Sequence, residues 1–208
     1  MKQRSLPNGV VASALETINP KNHGVVPLGP EVCLARGRVH EVQGDSAESF
    51  AMAAGSAMDG PVFWIGLRED VEALSPLGVD DYFDPARLVM TTGVSRLEVL
   101  WAGEQALRTE GIACVVIELR SGPDLRESRR LQIAAEESGA LGLILIKGRA
   151  YTSAAHSRWQ CDAIKDDASS WRWVCTKNRK GQSKAWRVNW RGNGNGPGVI
   201  HMAAATAA

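Results

Sequence analysis

Residues 114–146, CVVIELRSGPDLRESRRLQIAAEESGALGLILI, indicate the fold of the chain. The two apolar runs Cys114–Leu119 and Leu141–Ile146 are short enough to be strands, and the stretch Leu125–Ser138 between them predicts a helix that ends at Gly139. Glycine readily takes the positive φ that the residue after a helix requires. Strands that are apolar throughout and alternate with helices are typical of a parallel sheet covered on both faces. The stretch therefore predicts an α/β fold.

The same alternation extends towards the N-terminus. Apolar residues at helical spacing predict a helix over 47–58, and Ser95 with Glu98 forms a capping box that opens another helix ending near Arg108. The inward face of this second helix is predicted from its large apolar residues: Leu97, Leu100, Trp101 and Leu107. Strands are expected at residues 37–42, 62–65 and 87–92.

The pattern changes after Gly148. Residues 157–164, 170–178 and 184–190 alternate polar with apolar side chains, and turns near 166 and 180 join them. Alternation with short turns predicts an antiparallel meander that extends the sheet. We therefore expect one core domain over residues 34–191.

Two segments flank this predicted core. Residues 192–208 contain no Lys, Arg, Asp or Glu and few apolar side chains, which favours a mobile tail. Residues 1–33 are polar and punctuated by Pro and Gly around one short predicted helix near residues 10–17. Its apolar stripe holds the candidate partner-binding residues Val11, Leu15 and Ile18. The stripe either docks on another subunit or packs on the core of its own chain.

Composition excludes several classes of protein. A chain of 208 residues with 44% hydrophobic and 23% charged residues is ordinary for a globular domain. Its longest apolar run, residues 140–146, is far shorter than the ~20 residues of a membrane span, so a cytoplasmic protein is expected. The cysteines and histidines are dispersed without the paired spacing of a zinc site, and we therefore expect no metal.

Positive charge is concentrated near the C-terminus. Residues 147–191 hold eleven Lys or Arg against three Asp, a local balance of +8 in a chain of net charge +1, together with five of the seven tryptophans. Basic and aromatic side chains together suit a nucleic acid, but the same pattern fits amphipathic strands with one charged and one apolar face. The candidate nucleic-acid contacts surround one turn: Lys177, Arg179, Lys180, Lys184 and Arg187.

Several segments, in order along residues 34–190, resemble the RecA-like superfamily and, within it, the ImuA family. The segments similar to RecA are GRVHEVQG (37–44), EQAL (104–107), GIACVVIE (111–118), SRWQCDAI (157–164) and KNR (177–179). Those that resemble ImuA more closely are LARGRVHEV (34–42), DPARL (84–88), SRRLQIAAEESG (128–139) and SRW (157–159). The resemblance implies a RecA-like core.

The chain departs from the superfamily at the nucleotide site. The resemblance implies a vestigial second nucleotide motif at Glu118, expected to be a solvated carboxylate, and a vestigial phosphate loop at Gly44, Asp45, Ser46, Ala47, Glu48 and Ser49. A working loop needs a second glycine and a lysine that reaches the phosphates, and both are absent. Asp45 and Glu48 also place negative charge where phosphates would lie. We therefore expect no cofactor, no catalytic residue and no ATPase activity.

The ImuA resemblance implies a non-enzymatic accessory protein of the bacterial DNA-damage (SOS) response. Such a protein would permit mutagenic translesion synthesis through contacts with an ImuB-like, polymerase-related protein and an error-prone DNA polymerase III alpha-type subunit. Contact with RecA, weak DNA binding and self-association are further expectations, the first resting on fold analogy. Two alternatives stay open: a cell-division inhibitor similar to SulA, and a DNA-dependent ATPase.

Overall fold

The computed structural model describes residues 23–74, 76–165, 167–179, 184–191 and 199–204. The strands are β1 (Val25–Pro27), β2 (Cys33–Ala35), β3 (Val39–Gln43), β4 (Val62–Leu67), β5 (Leu88–Gly93), β6 (Cys114–Leu119), β7 (Leu141–Ile146), β8 (Ser157–Ile164), β9 (Asp167–Asn178), β10 (Ala185–Arg191) and β11 (Val199–Ala204). The helices are α1 (Ala47–Ser56), α2 (Arg68–Val71), α3 (Pro76–Asp80), α4 (Arg96–Arg108) and α5 (Leu125–Ser138), with a 3₁₀ turn at Pro85–Arg87. In the described part of the chain, no helix has the length and hydrophobicity to cross a membrane.

One large sheet has the strand order β11-β10-β9-β8-β3-β7-β6-β4-β5. The strands from β8 to β5 run parallel to their neighbours, whereas β9, β10 and β11 continue from β8 as antiparallel pairs. The predicted α/β fold, with a mostly parallel sheet and an antiparallel meander, is confirmed. Every residue of β6 and β7 is buried, which explains why these two strands read as unbroken apolar runs.

Two hydrophobic cores cover the two faces of this sheet. On one face, α1 packs against the tryptophans of the meander, and the ring centroids of Phe50 and Trp173 are 4.6 Å apart. On the other face, α4 and α5 cover β6 and β7 through residues such as Leu107 and Leu131. The sheet is thus buried on both sides, as a parallel sheet must be.

The predicted inward face of α4 is wrong at two positions. Leu97 and Trp101 are 75% and 61% exposed, whereas Leu107 is fully buried, as predicted. Gly103 faces β6, and a side chain there would overlap Ile117, so α4 approaches the sheet closely along its small residues. Small residues at the contact have displaced the large apolar ones to the solvent side.

The helix ends follow local rules. Ser95 accepts the N–H of Glu98 as predicted, but the Glu98 carboxylate binds the N–H of Val94 and not that of the cap itself. Helix α5 begins with a reciprocal capping box between Asp124 and Glu127, which the sequence analysis did not identify. It ends, as predicted, at Gly139 with φ of 80°.

Both flanking segments contribute more to the core than the sequence indicates. In the N-terminal segment 1–33, residues 25–33 form most of a hairpin, β1–β2, whose Val26 and Leu28 are buried in the main core. In the predicted tail 192–208, residues 199–204 form β11 on the edge of the meander, and Ile200 and Met202 pack against the same core. The prediction of a mobile tail is wrong for these six residues, because alternate side chains of β11 reach the core.

Candidate functional site

A cleft opens at the carboxyl ends of the central parallel strands, where open α/β sheets bind ligands. The loop of residues 44–49 follows β3, Lys147 follows β7, and Glu118 is the penultimate residue of β6. The cleft has a volume of about 460 Å³, and its lining residues are Gln43, Gly44, Asp45, Glu48, Ile146, Lys147, Gly148 and Gln160. The structure therefore brings the predicted phosphate loop to the edge where a nucleotide would lie.

The loop is bonded to β8 of its own chain. The Ser46 N–H donates to the carbonyl oxygen of Cys161 at 3.1 Å, and the Asp45 carboxylate accepts the N–H of Ala163 at 2.7 Å. Gly44 has φ of 106°, and a side chain there would overlap the Cys161 carbonyl. A phosphate loop works by turning free backbone N–H groups towards the ligand, and here the Ser46 N–H is already paired.

Lys147 supplies a cation to the cleft. Its Nζ lies 3.4 Å from a Glu48 carboxylate oxygen, 3.9 Å from Glu118 Oε2 and 4.0 Å from Asp70 Oδ1. The side chains of the cleft thus pair their own charges. Sequence reasoning missed Lys147, because it enters from a strand other than the one that carries the loop. The available signal was a lysine directly after a fully buried strand.

Glu118 is buried, and the expectation of a solvated carboxylate is wrong. Its residue surface is 3% exposed, and its Oε2 has no hydrogen-bond partner. Burial raises the pKa of the Glu118 carboxyl to about 7, and nearby Lys147 opposes that rise. The carboxyl can therefore hold or release a proton near neutral pH.

Over the described residues, no three His, Cys, Asp or Glu side chains are placed to hold a metal ion together. The carboxylates of the cleft lie around the Lys147 ammonium group instead.

The predicted basic residues gather only in part. Lys177 and Arg179 lie at the end of β9 and donate to the backbone carbonyls of Ser153 and Ala154, at 2.9 and 3.1 Å. Partial burial lowers the pKa of Lys177. Lys184 is exposed at the start of β10, so it lies at the same end of the hairpin. Lys180 falls outside the described residues.

Arg187 lies further along β10, away from that end of the hairpin. It is exposed and pairs in register with Arg172 of β9, another exposed arginine. Sequence reasoning missed Arg172, because only strand register shows which residues are cross-strand neighbours.

The tryptophans of this region are not available for stacking on bases. Their side chains face the core under α1, and none is more than 8% exposed: Trp159, Trp171, Trp173, Trp186 and Trp190. The alternative interpretation, amphipathic strands with one charged and one apolar face, is confirmed. The candidate partner-binding residues Val11, Leu15 and Ile18 lie outside the described residues.

Fold and cleft together define an α/β protein with a central parallel sheet, whose carboxyl-end cleft is occupied by ion pairs of its own chain. No family model matches the chain. Protein ImuA of Caulobacter vibrioides, in strains NA1000 / CB15N and ATCC 19089 / CIP 103742 / CB 15, is 31% identical over 210 residues, covering 86% of this chain and 84% of that protein. The chain belongs to the ImuA family, and the resemblance drawn from its sequence is confirmed.

The buried Glu118 predicts a specific pH dependence of stability. Its pKa is about 7 in the folded protein against an ordinary 4.5, so the folded state keeps a proton that the unfolded chain has already released between these values. This contribution to stability is fully present below pH 4.5 and is lost as pH rises to about 7. Across that interval we expect the free energy of unfolding to fall by about 3 kcal/mol relative to Glu118→Gln, measured by urea denaturation. Parallel curves for the two proteins would contradict the assignment.

Proposed function

We propose that this chain is a non-enzymatic accessory protein of DNA-damage-induced translesion synthesis. It acts through contacts with an ImuB-like polymerase-related protein and an error-prone DNA polymerase III alpha-type subunit, and with RecA. Membership of the ImuA family supports the setting. The observation that carries the non-enzymatic part is the self-paired cleft, in which Lys147 contacts Glu48 and the Ser46 N–H is bonded to Cys161.

Electrostatics make this cleft a poor site for a triphosphate. Asp45 and Glu48 line it, and each carboxylate opposes a phosphate oxygen at 4 Å by about 4 kcal/mol at an effective dielectric of 20. Lys147 would have to leave Glu48 before it could pair with a phosphate. The loop N–H groups would also have to break from β8. These costs support a protein that retains a nucleotide-type cleft without using it for catalysis.

A DNA-dependent ATPase is the alternative that the Lys147 ammonium group would serve, and calorimetry separates the two. We expect titration with Mg-ATP to give no heat above dilution, with or without single-stranded DNA, because the cleft cannot neutralise a triphosphate. Lys147→Met is the matched variant, since it removes the cation and keeps the length of the side chain. Micromolar affinity in the wild-type chain that disappears in Lys147→Met would establish a nucleotide site and overturn the proposal.

Contact with the polymerase assembly is tested by purification of the tagged chain from DNA-damaged bacteria. We expect the ImuB-like and polymerase III alpha-type proteins to co-purify after damage, and the purified ImuB-like protein to bind the chain directly in a titration. Untreated cells are the control, because the partners are expected to be induced by damage. Recovery of a tubulin-like division protein in their place would favour the SulA-like alternative.

We also propose weak, sequence-independent DNA binding at the exposed basic end of the β9–β10 hairpin. Lys184 and Arg187 are both exposed there, and Arg172 adds a third positive side chain beside Arg187. Contacts to phosphates release counterions, so affinity falls with salt by about 0.7 logarithmic units per contact on single strands. The buried tryptophans leave charge as the main source of affinity.

Charge reversal tests this basic surface. Lys184→Glu with Arg187→Glu is expected to flatten the salt dependence of single-strand binding by about one to two contacts, measured by fluorescence anisotropy. Arg126→Glu with Arg129→Glu is the matched control, because these two exposed arginines lie on α5 and the change in net charge is the same. Equal slopes for the two double variants would show that the hairpin does not contact DNA.

A further inference from the structure

An apolar groove lies between α4 and α5 on the face of the sheet opposite the meander. Leu97, Trp101 and Leu125 are 75%, 61% and 59% exposed beside it. The groove has a volume of about 340 Å³, and its lining residues are Leu97, Glu98, Leu100, Trp101, Glu104, Glu127, Arg130 and Leu131. Clustered exposed side chains of this size mark a surface that another segment covers.

The charged side chains around the groove are paired with one another. Arg96 contacts Glu127 at 2.8 Å, and Glu104 binds both Arg108 at 2.9 Å and Arg130 at 2.5 Å. The rim is thus close to neutral, and the floor is apolar. Such a groove suits an uncharged apolar stripe better than a charged ligand.

The chain enters the described structure beside this helix pair. His23 contacts the C-terminal end of α5, where its Nε2 lies 2.9 Å from the carbonyl oxygen of Glu136. Its ring lies against both Gly37 and Gly139, where any side chain would overlap it. The first described residue is therefore fixed at one end of α5, and residues 1–22 extend from that point.

The preceding segment is long enough to reach the groove. Ile18 lies five residues before His23, and five extended residues span about 17 Å. Leu131 in the groove lies five residues before Glu136, which is about 8 Å along the helix axis, and crossing the outer side of α5 adds about 10 Å. The path passes the partly exposed Ile133. Apolar residues 10, 11, 14, 15 and 18 can therefore meet the groove without strain.

We propose that residues 10–18 dock in the α4–α5 groove of their own chain, with Leu15 and Ile18 against Trp101 and Leu97. The short tether decides between this chain and a second copy. A linker of about five residues gives an effective concentration on the order of millimolar, so the tethered stripe outcompetes an identical stripe of another molecule at micromolar concentration. This inference does not depend on the proposed role in translesion synthesis.

Hydrogen exchange of the full chain tests the docking. We expect the amides of residues 10–18 to exchange at least tenfold more slowly than in an unstructured peptide, with the same protection at 1 and 100 μM protein. Trp101→Asp should abolish that protection, because it places a charge on the groove floor. Val94→Asp is the matched control: Val94 is 85% exposed at the start of α4 and does not line the groove.

Each contrary result identifies another occupant. Fast exchange in the wild-type chain would show that the segment does not dock. Protection that rises with concentration would indicate a second copy, and protection that survives Trp101→Asp would place the segment elsewhere. A reciprocal pair completes the test: Leu15→Asp with Ile18→Asp should lose protection, whereas Ala12→Asp with Ser13→Asp, on the other side of the predicted helix, should keep it.

Discussion

The buried ion pair between Glu41 and Arg158 is the interaction on which the arrangement of the large sheet depends. These residues face each other in register on β3 and β8, with 2.6 Å between Arg158 Nη2 and a carboxylate oxygen of the fully buried Glu41. Here the parallel part of the sheet meets the strand that begins the meander. Removal of one partner from such a pair costs about 3–5 kcal/mol, because it leaves an uncompensated buried charge. Beside it, His40 bonds to Ser157 at 2.6 Å, and burial lowers the pKa of His40 to about 3, so the junction holds a neutral imidazole at physiological pH.

The position of β8 in turn determines the state of the cleft. Because β8 lies beside β3, its Cys161 carbonyl and Ala163 N–H reach the loop of residues 44–49 and bond to it. The same strand begins the meander that buries the tryptophans beneath α1. Closure of the loop and extension of the sheet are thus two consequences of one strand pairing. Lys147 completes the cleft from the other neighbour of β3, the end of β7.

The two faces of the sheet lead to different surfaces. Under α1 the meander buries its tryptophans and leaves basic side chains on its solvent face. On the opposite face, the close approach of α4 to β6 at Gly103 leaves Leu97 and Trp101 outside the core. The result is a protein with a self-paired cleft, a basic hairpin end and an apolar groove. This combination is consistent with action through contacts, which the family membership sets in an ImuA context.

The sequence alone determined the features that depend on local periodicity and local geometry. The apolar runs 114–119 and 141–146 predict buried parallel strands because burial on both faces removes polar alternation, and Gly139 ends α5 because few other residues take its positive φ. The loop 44–49 could be located in the same way, from its place after the first strand of the sheet. Only the tertiary structure decided which groups meet there: the ammonium group of Lys147 comes from a strand about a hundred residues later, and no local pattern records it. Likewise, helical spacing cannot distinguish the two apolar sides of α4, since the close contact at Gly103, made by residues distant in sequence, decides which side is buried.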